Sequence, residues 1–203
     1  MSLRGTTPPL PAARRDVFYT PRHATLSLLE HADMIGLLPR ACEVWECAAG
    51  AGHMARVLAD TGYRVLATDI APAARQLYPV TLLDFLQSNG LGTRRHHIIT
   101  NPPYGLQSRL ILAFLNHAMA LLDRTGGALA LLLPFEFDAA PSRNELVGAH
   151  PYFVGKATVA RRIRWANLAQ RGPGPMGHHA WYLWSTSRAV QLRARSLPMM
   201  VSR

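Results

Sequence analysis

The sequence predicts an α/β protein: a mostly parallel, doubly wound sheet with helices on both faces, closed by an antiparallel hairpin at its C-terminal end. Three observations predict it. Short apolar strands alternate with helical stretches as far as residue 133. Some of these strands, Ala128 to Leu133 above all, are apolar almost throughout, the pattern of parallel strands covered on both faces. The last segment breaks the alternation, because Tyr152 to Trp165 and His178 to Ser187 read as two longer strands with no helix between them.

Each element has its own signal. Thr20-Pro21 opens a helix over Arg22 to Leu37, with Leu26, Leu28, Leu29, Ile35 and Leu37 as its loose apolar stripe. A strand, Ala41 to Cys47, runs into the turn Ala48-Ala-Gly-Ala-Gly52, and a helix from His53 to Thr61 stops at Gly62. Arg64 to Ile70 is a second strand, Ala71 to Leu77 a short helix, and Val80 to Leu83 a third strand that ends at Asp84. His96 to Thr100 is a fourth strand leading into Asn101-Pro-Pro-Tyr104. Gln107 to Leu122 is an amphipathic helix, with Leu110, Phe114, Ala118 and Leu121 on one face. Gly126-Gly127 turns into the fifth strand.

The 203 residues suit one domain, expected over residues 16–190, with a Pro-rich basic arm before it (1–15) and a basic tail after it (191–203). No apolar run approaches the length of a membrane span, so no membrane partner is expected and a cytoplasmic location is the default. Two cysteines, Cys42 and Cys47, write neither a disulfide framework nor a four-ligand zinc site. The pairs His96-His97 and His178-His179 lack carboxylate or cysteine company and read as structural. A net charge of +10 predicts attraction to polyanions, nucleic acid first among them. The plainer reading is a basic composition in which Arg has displaced Lys, since Lys156 is the single lysine.

In a doubly wound sheet, ligands bind beyond the carboxyl ends of the strands. The polar oddities of the chain fall on that edge: Glu46, Gly50, Gly52, Asp69, Asp84 and Asn101. Gly50-Ala-Gly52 lets the backbone approach a ligand closely, or simply makes a tight turn. With Asp69 about where a ribose-binding acid belongs, it also matches a dinucleotide fingerprint. Glu46 argues against that ligand, because a carboxylate before the turn would repel a pyrophosphate. It suits a cationic one, and S-adenosylmethionine (SAM) has a ribose for Asp69 and a positively charged amino-acid end. Asp84 either accepts a hydrogen bond from an adenine amine, with Phe85 lining the ring, or caps the following short helix.

Asn101 to Tyr104 then has a chemical reading. An exocyclic amine on an aromatic ring is a poor nucleophile because its lone pair is delocalised. The Asn101 side-chain carbonyl and the Pro102 backbone carbonyl would hold its hydrogens and free the lone pair. Pro102 and Pro103 fix φ and carry no competing N–H, and Tyr104 offers a flat face for a planar target.

In this order the motifs resemble SAM-dependent amino-methyltransferases of the Rossmann-like class, above all adenine-specific DNA methyltransferases, from about Asp16 to Ser187. The resemblance implies their fold, a mostly parallel seven-stranded sheet. "FYTP" at Phe18 to Pro21 is similar to the N-terminal cofactor motif, which implies Tyr19, Thr20 and Pro21 beside the methionine part of SAM. "WECAAGAGHMA" at Trp45 to Ala55 resembles the glycine motif and adds Ala48 to the cofactor set. Asp69 and Ile70 correspond to the ribose contact, Asp84 and Phe85 to the adenine contact, and Asn101 to Tyr104 to the catalytic motif, with Asn101 touching the cofactor as well. The implied activity is methyl transfer to the exocyclic amino group of adenine in DNA. Methylation of RNA or of a protein glutamine, a SAM-binding accessory subunit without activity, and a dinucleotide-dependent oxidoreductase are the alternatives.

Two departures matter. Cys47 stands where the glycine motif usually has proline. Restriction-type enzymes carry a separate target-recognition domain, for which this chain has no room. The ending "HHAWYLW", His178 to Trp184, looks more like compact, phage-type orphan enzymes. Recognition then falls to two loops. Pro134 to Phe137 supplies Phe135 and Phe137, and the stretch Asn167 to Gly177 with its flanks supplies Arg161, Arg162, Arg164 and Arg171. Four arginines on phosphates would weaken binding by about 3–4 log units per tenfold rise in salt; an ordinary hairpin with a solvated charge cluster is the bland reading. Trp165, Trp181 and Trp184 read as packing rather than base-stacking groups.

Overall fold

A computed structural model of the chain describes residues 18–90, 92, 95–105, 108–165 and 176–196. Helix α1 (Arg22–Ile35) begins after an extended Pro21 and ends at Gly36 in the left-handed conformation. β1 (Glu43–Glu46), α2 (His53–Asp60), β2 (Arg64–Asp69), β3 (Thr81–Leu82), β4 (His96–Thr100), α3 (Arg109–Thr125) and β5 (Gly127–Pro134) follow. The C-terminal part holds β6 (Phe153–Thr158), β7 (Ile163–Arg164), β8 (Met176–Gly177), β9 (His179–Ser185) and α4 (Arg188–Ser196).

Seven strands form one sheet in the order β3-β2-β1-β4-β5-β9-β6. The pairs β1–β2, β1–β4, β2–β3 and β4–β5 are parallel; β9 alone runs against its neighbours, inserted between β5 and β6. This is the expected sheet with its antiparallel end. The strand order reverses between β1 and β4, which makes the ends of those two strands the switch point where a crevice opens.

Alternation along the strands supplies two apolar faces. Val44, Ile99, Ala130, Leu132 and Leu183 meet α1, α2 and α4 through Leu28, Ala32, Met54, Leu58 and Val190. Trp45, Ile98, Leu129, Leu131, Leu133 and Trp184 meet α3 through Ile111, Leu115 and Leu122. Trp165, Trp181 and Trp184 are buried, as the packing reading had it. The indole N–H of Trp181 bonds the Ala24 carbonyl at 2.8 Å and that of Trp184 the Leu146 carbonyl at 3.0 Å, which satisfies their polar ends in the interior.

Two local expectations give way. Residues 71–77 form no helix. The Ala71 N–H is taken by Asp69 Oδ1, and those of Ala73 and Leu77 by the Gly50 and Ala51 carbonyls, so the segment drapes over the glycine turn instead. The strand expected over Tyr152 to Trp165 splits: β6 stays in the main sheet, and β7 pairs with β8 as a separate ribbon. Val190 and Ala194 of α4 pack on the core.

Candidate active site

The site starts at the turn between β1 and α2. Gly50 (φ 56°) and Gly52 (φ 80°) are both left-handed. A Cβ on Gly52 would stand 2.8 Å from the Tyr78 Cβ, so glycine is required there for space as well as conformation. Gly52 has no side chain to cap α2. The Glu46 carboxyl, at the end of β1, lies near the Ala55 N–H of the first helical turn. On the next strand, Asp69 ties the turn down: its Oδ2 accepts from the Gly50 N–H at 2.8 Å and its Oδ1 from the Ala71 N–H at 2.8 Å. Ala48 is half-buried beside this turn, and Ile70 is 48% exposed at its rim.

Glu46 is only 3% exposed, and its Oε2 has no partner among the described residues. Burial pushes this carboxyl well above the usual carboxylate range; the Ala55 N–H opposes the shift and the nearby Asp69 charge adds to it. Asn101, just past the end of β4, likewise has a buried Oδ1 without a partner among the described residues, as does His53 Nδ1 at the start of α2. Buried polar atoms in folded proteins are nearly always paired, because a hidden orphan costs about 1–3 kcal/mol. Here three lie around one turn and the strand end beside it. His53 was not legible as a site residue; its ring stacks on Tyr19, with centroids 4.1 Å apart and planes at 26°, which brings the "FYTP" segment over the glycine turn. Thr20 is buried and Pro21 half-buried next to it.

Pro102 is buried, while Pro103 and Tyr104 are half-buried. The Tyr104 hydroxyl donates to the Leu132 carbonyl at 3.3 Å, which fixes the ring. That ring lies nearly parallel to His179 (6.1 Å, 22°) and edge-on to Trp165 (6.5 Å, 84°). Burial raises the phenol well above its ordinary pKa, so Tyr104 offers a surface rather than an ionising group.

Two expected contacts are placed elsewhere. Phe85 is 2% exposed, packed between Trp45 and Phe114 in the core. The reason is local: Asp84 Oδ1 accepts from the Leu86 N–H at 3.0 Å, starting a short 3₁₀ turn that rotates Phe85 inward. Phe137 is also 2% exposed, edge-on to Tyr182 and beneath the Arg143 guanidinium, because a second 3₁₀ turn at Phe137–Ala139 turns it under the loop. Phe135 remains at the surface, 38% exposed. Arg161, Arg162 and Arg164 are exposed beside the β7–β8 ribbon, and Arg171 lies outside the described residues.

Beyond Phe135 is a network that no motif announced. Lys156 Nζ bonds both Asp138 oxygens, at 3.0 and 2.8 Å, and sits 4.2 Å above the Phe135 ring. The Tyr182 hydroxyl lies 2.8 Å from Asp138 Oδ1 and 2.9 Å from the Phe135 carbonyl. Burial works against the Asp138 carboxylate, but the bonds from Lys156 and Tyr182 outweigh it and hold its pKa below the usual value. The one available signal was compositional: Lys156 is the only lysine in an arginine-rich chain.

No protein-family model matches the chain, and no curated protein matches it either. Solved structures do. A candidate RNA methyltransferase from Pyrococcus horikoshii is 17% identical with a TM-score of 0.65, over 86% of this chain and 89% of that one. The methyltransferase subunit of a type I restriction-modification system from Streptococcus thermophilus is 13% identical, TM-score 0.56, over 84% of this chain. The modification subunit of a candidate type I restriction enzyme from Vibrio vulnificus is 15% identical, TM-score 0.51, over 86%. The chain spans 45% and 46% of those two subunits. Among the described residues no helix is long and apolar enough to cross a membrane. With its reversed strand β9, its glycine turn at the switch point and these neighbours, the chain has the Rossmann-like fold of the SAM-dependent methyltransferases.

Proposed function

We propose that the protein is a SAM-dependent methyltransferase acting on the exocyclic amino group of adenine in DNA. The observation that carries this reading is a pair of buried oxygens, Glu46 Oε2 and Asn101 Oδ1, that lack donors among the described residues and lie at the ends of the adjacent strands β1 and β4. The residues fit the cofactor. Glu46 is an acceptor for a cationic ammonium, Gly50 and Gly52 leave room for close approach, and Asp69 and Asp84 keep acceptor capacity for ribose hydroxyls and an adenine amine. SAM, when bound, supplies a methyl group on a positively charged sulfur.

The chain's own part is positioning and electrostatics. Asn101 Oδ1 and the Pro102 carbonyl accept the two hydrogens of the target amine, which localises its lone pair for attack. Pro102 and Pro103 add no N–H that could compete. Tyr104, fixed through Leu132, is the surface against which the target ring lies. An adenine in duplex DNA must leave the stack to reach this strand edge, and Arg161, Arg162 and Arg164 are exposed where phosphates would pass.

RNA is the second reading, favoured by the Pyrococcus horikoshii neighbour, with which the chain aligns over most of both lengths. Incubation with methyl-labelled SAM and unmethylated DNA or RNA, followed by nucleoside analysis, separates the two. Labelled methyladenine from DNA is the expected result. Label confined to RNA moves the substrate, and no label in either sinks the proposal.

A further inference from the structure

We propose that the open cavity farther along the same strand edge is a second nucleobase site, which holds a nucleotide flanking the target rather than the target itself. The inference rests on the reading of the protein as a nucleic-acid methyltransferase.

The cavity has a volume of about 500 Å³ and is lined by Pro134, Phe135, Glu136, Thr158 and His178. Pro134 ends β5, Thr158 ends β6, and His178 immediately precedes the reversed β9, so all of them lie on the edge that also carries Asn101. The cavity starts at β5, one strand from β4, and reaches β6, three strands away. At about 4.8 Å between strands it lies roughly 5–15 Å sideways from the catalytic tetrapeptide, the reach of a neighbouring nucleotide. Tyr104, His179 and Trp165 stand as a partition; Trp165 meets His179 edge-on at 4.9 Å. The volume falls within the range of small-ligand pockets, about 300–1,000 Å³.

The lining carries the chemistry of base recognition. Phe135 is an exposed aromatic on a backbone that is pinned on both sides. Its N–H donates to the His178 carbonyl at 3.0 Å, and its carbonyl accepts from Lys156 Nζ at 3.2 Å, with the Tyr182 hydroxyl 2.9 Å away. An exposed aromatic ring at a basic surface is what base stacking uses, since every base has a π-face. Lys156 above the ring adds a cation that does not leave, being held by Asp138. The exposed Glu136 carboxylate can accept from a base amine. His178 Nε2 accepts from Arg162 Nε at 2.9 Å, which leaves Nδ1 as its donor and holds Arg162 beside the cavity, where a phosphate would lie.

The test uses the full chain, with oligonucleotide affinity measured by fluorescence anisotropy at fixed salt and flanking-base preference read from methylation of a randomised DNA pool. Phe135→Leu, which keeps an apolar side chain without the ring, is expected to weaken binding by about 5- to 100-fold, the range of one lost base–aromatic stack. It should also flatten the preference at one flanking position and leave SAM affinity unchanged. Phe135→Tyr should restore both. Wild-type binding and flanking preference that Phe135→Leu leaves intact overturn the pocket assignment alone. A wild-type protein that binds no DNA or RNA overturns the nucleic-acid reading beneath it.

Discussion

Two carboxyl groups at opposite ends of the sheet edge, Glu46 and Asp138, are held in opposite ways. On the β1–β2 side, Glu46 is buried with one oxygen unpartnered among the described residues, and burial drives its pKa up. On the β5–β9–β6 side, Asp138 receives Lys156 on both oxygens and lies against the Tyr182 hydroxyl, and its pKa is driven down. Glu46 lacks a donor for one oxygen, whereas Asp138 has donors for both. A saturated network makes a rigid wall; a deficit marks the place where a ligand's donors belong. Buried atoms without a partner among the described residues also occur at Thr25, His97 and His117, so it is their place at the strand ends that singles out Glu46 and Asn101.

The largest way to break that comparison is at Asn101. Asn101→Ala should lower methyl transfer by about 10²–10³-fold, the usual loss for one preorganised polar contact to the reacting centre, with SAM affinity nearly unchanged in equilibrium binding. Equal turnover would remove Asn101 from the chemistry.

Asp138→Asn probes the saturated side and should destabilise the fold by about 1–3 kcal/mol at neutral pH, as for hydrogen bonds to charged groups, measured by urea denaturation. The sign with pH follows from the lowered pKa: the contribution is present above the unfolded carboxylate value and fades as pH falls through the folded one. The penalty should therefore vanish in acid. Asp69→Ala should weaken SAM binding by about tenfold, roughly the 1–1.5 kcal/mol of a net hydrogen bond, through a loosened Gly50 turn as much as a lost ribose contact. The smallest effect sharpens the contrast. Glu46 has a raised pKa, so its folded form is favoured while protonated, and stability is lost as pH rises above the usual carboxylate value. Glu46→Gln should raise the thermal midpoint of the ligand-free protein at pH 8, with a gain that shrinks toward pH 4.5, opposite in direction to Asp138→Asn.

The same division explains what the sequence disclosed. The parallel strands, the glycine turn and the Asn101 tetrapeptide are contiguous, so their residue order is their geometry. Asp69 meets Gly50 over a separation of 19 residues, still within one β-turn-α-β unit. Lys156, Asp138 and Tyr182 form one network over separations of 18 and 44 residues, set by how β6 and β9 pair, and nothing local announces it. Phe85 and Phe137 were misplaced for a related reason: each follows a strand, but a 3₁₀ turn decides whether the ring faces the crevice or the core. Residues 71–77 have helical composition, yet the carbonyls of Gly50 and Ala51 capture their N–H groups from outside. His53 lies within the glycine-motif stretch, but its residue type marks no role there, and its stack on Tyr19 brings it to the site.

The central claim is that the donor-poor side is built for a cationic, ribose-bearing cofactor, and isothermal titration of the ligand-free protein with SAM and, separately, with NAD tests it most directly. The account predicts saturable SAM binding, weakened at least tenfold by Glu46→Ala, and no NAD binding. Binding of NAD without SAM, or SAM binding indifferent to Glu46, would contradict it.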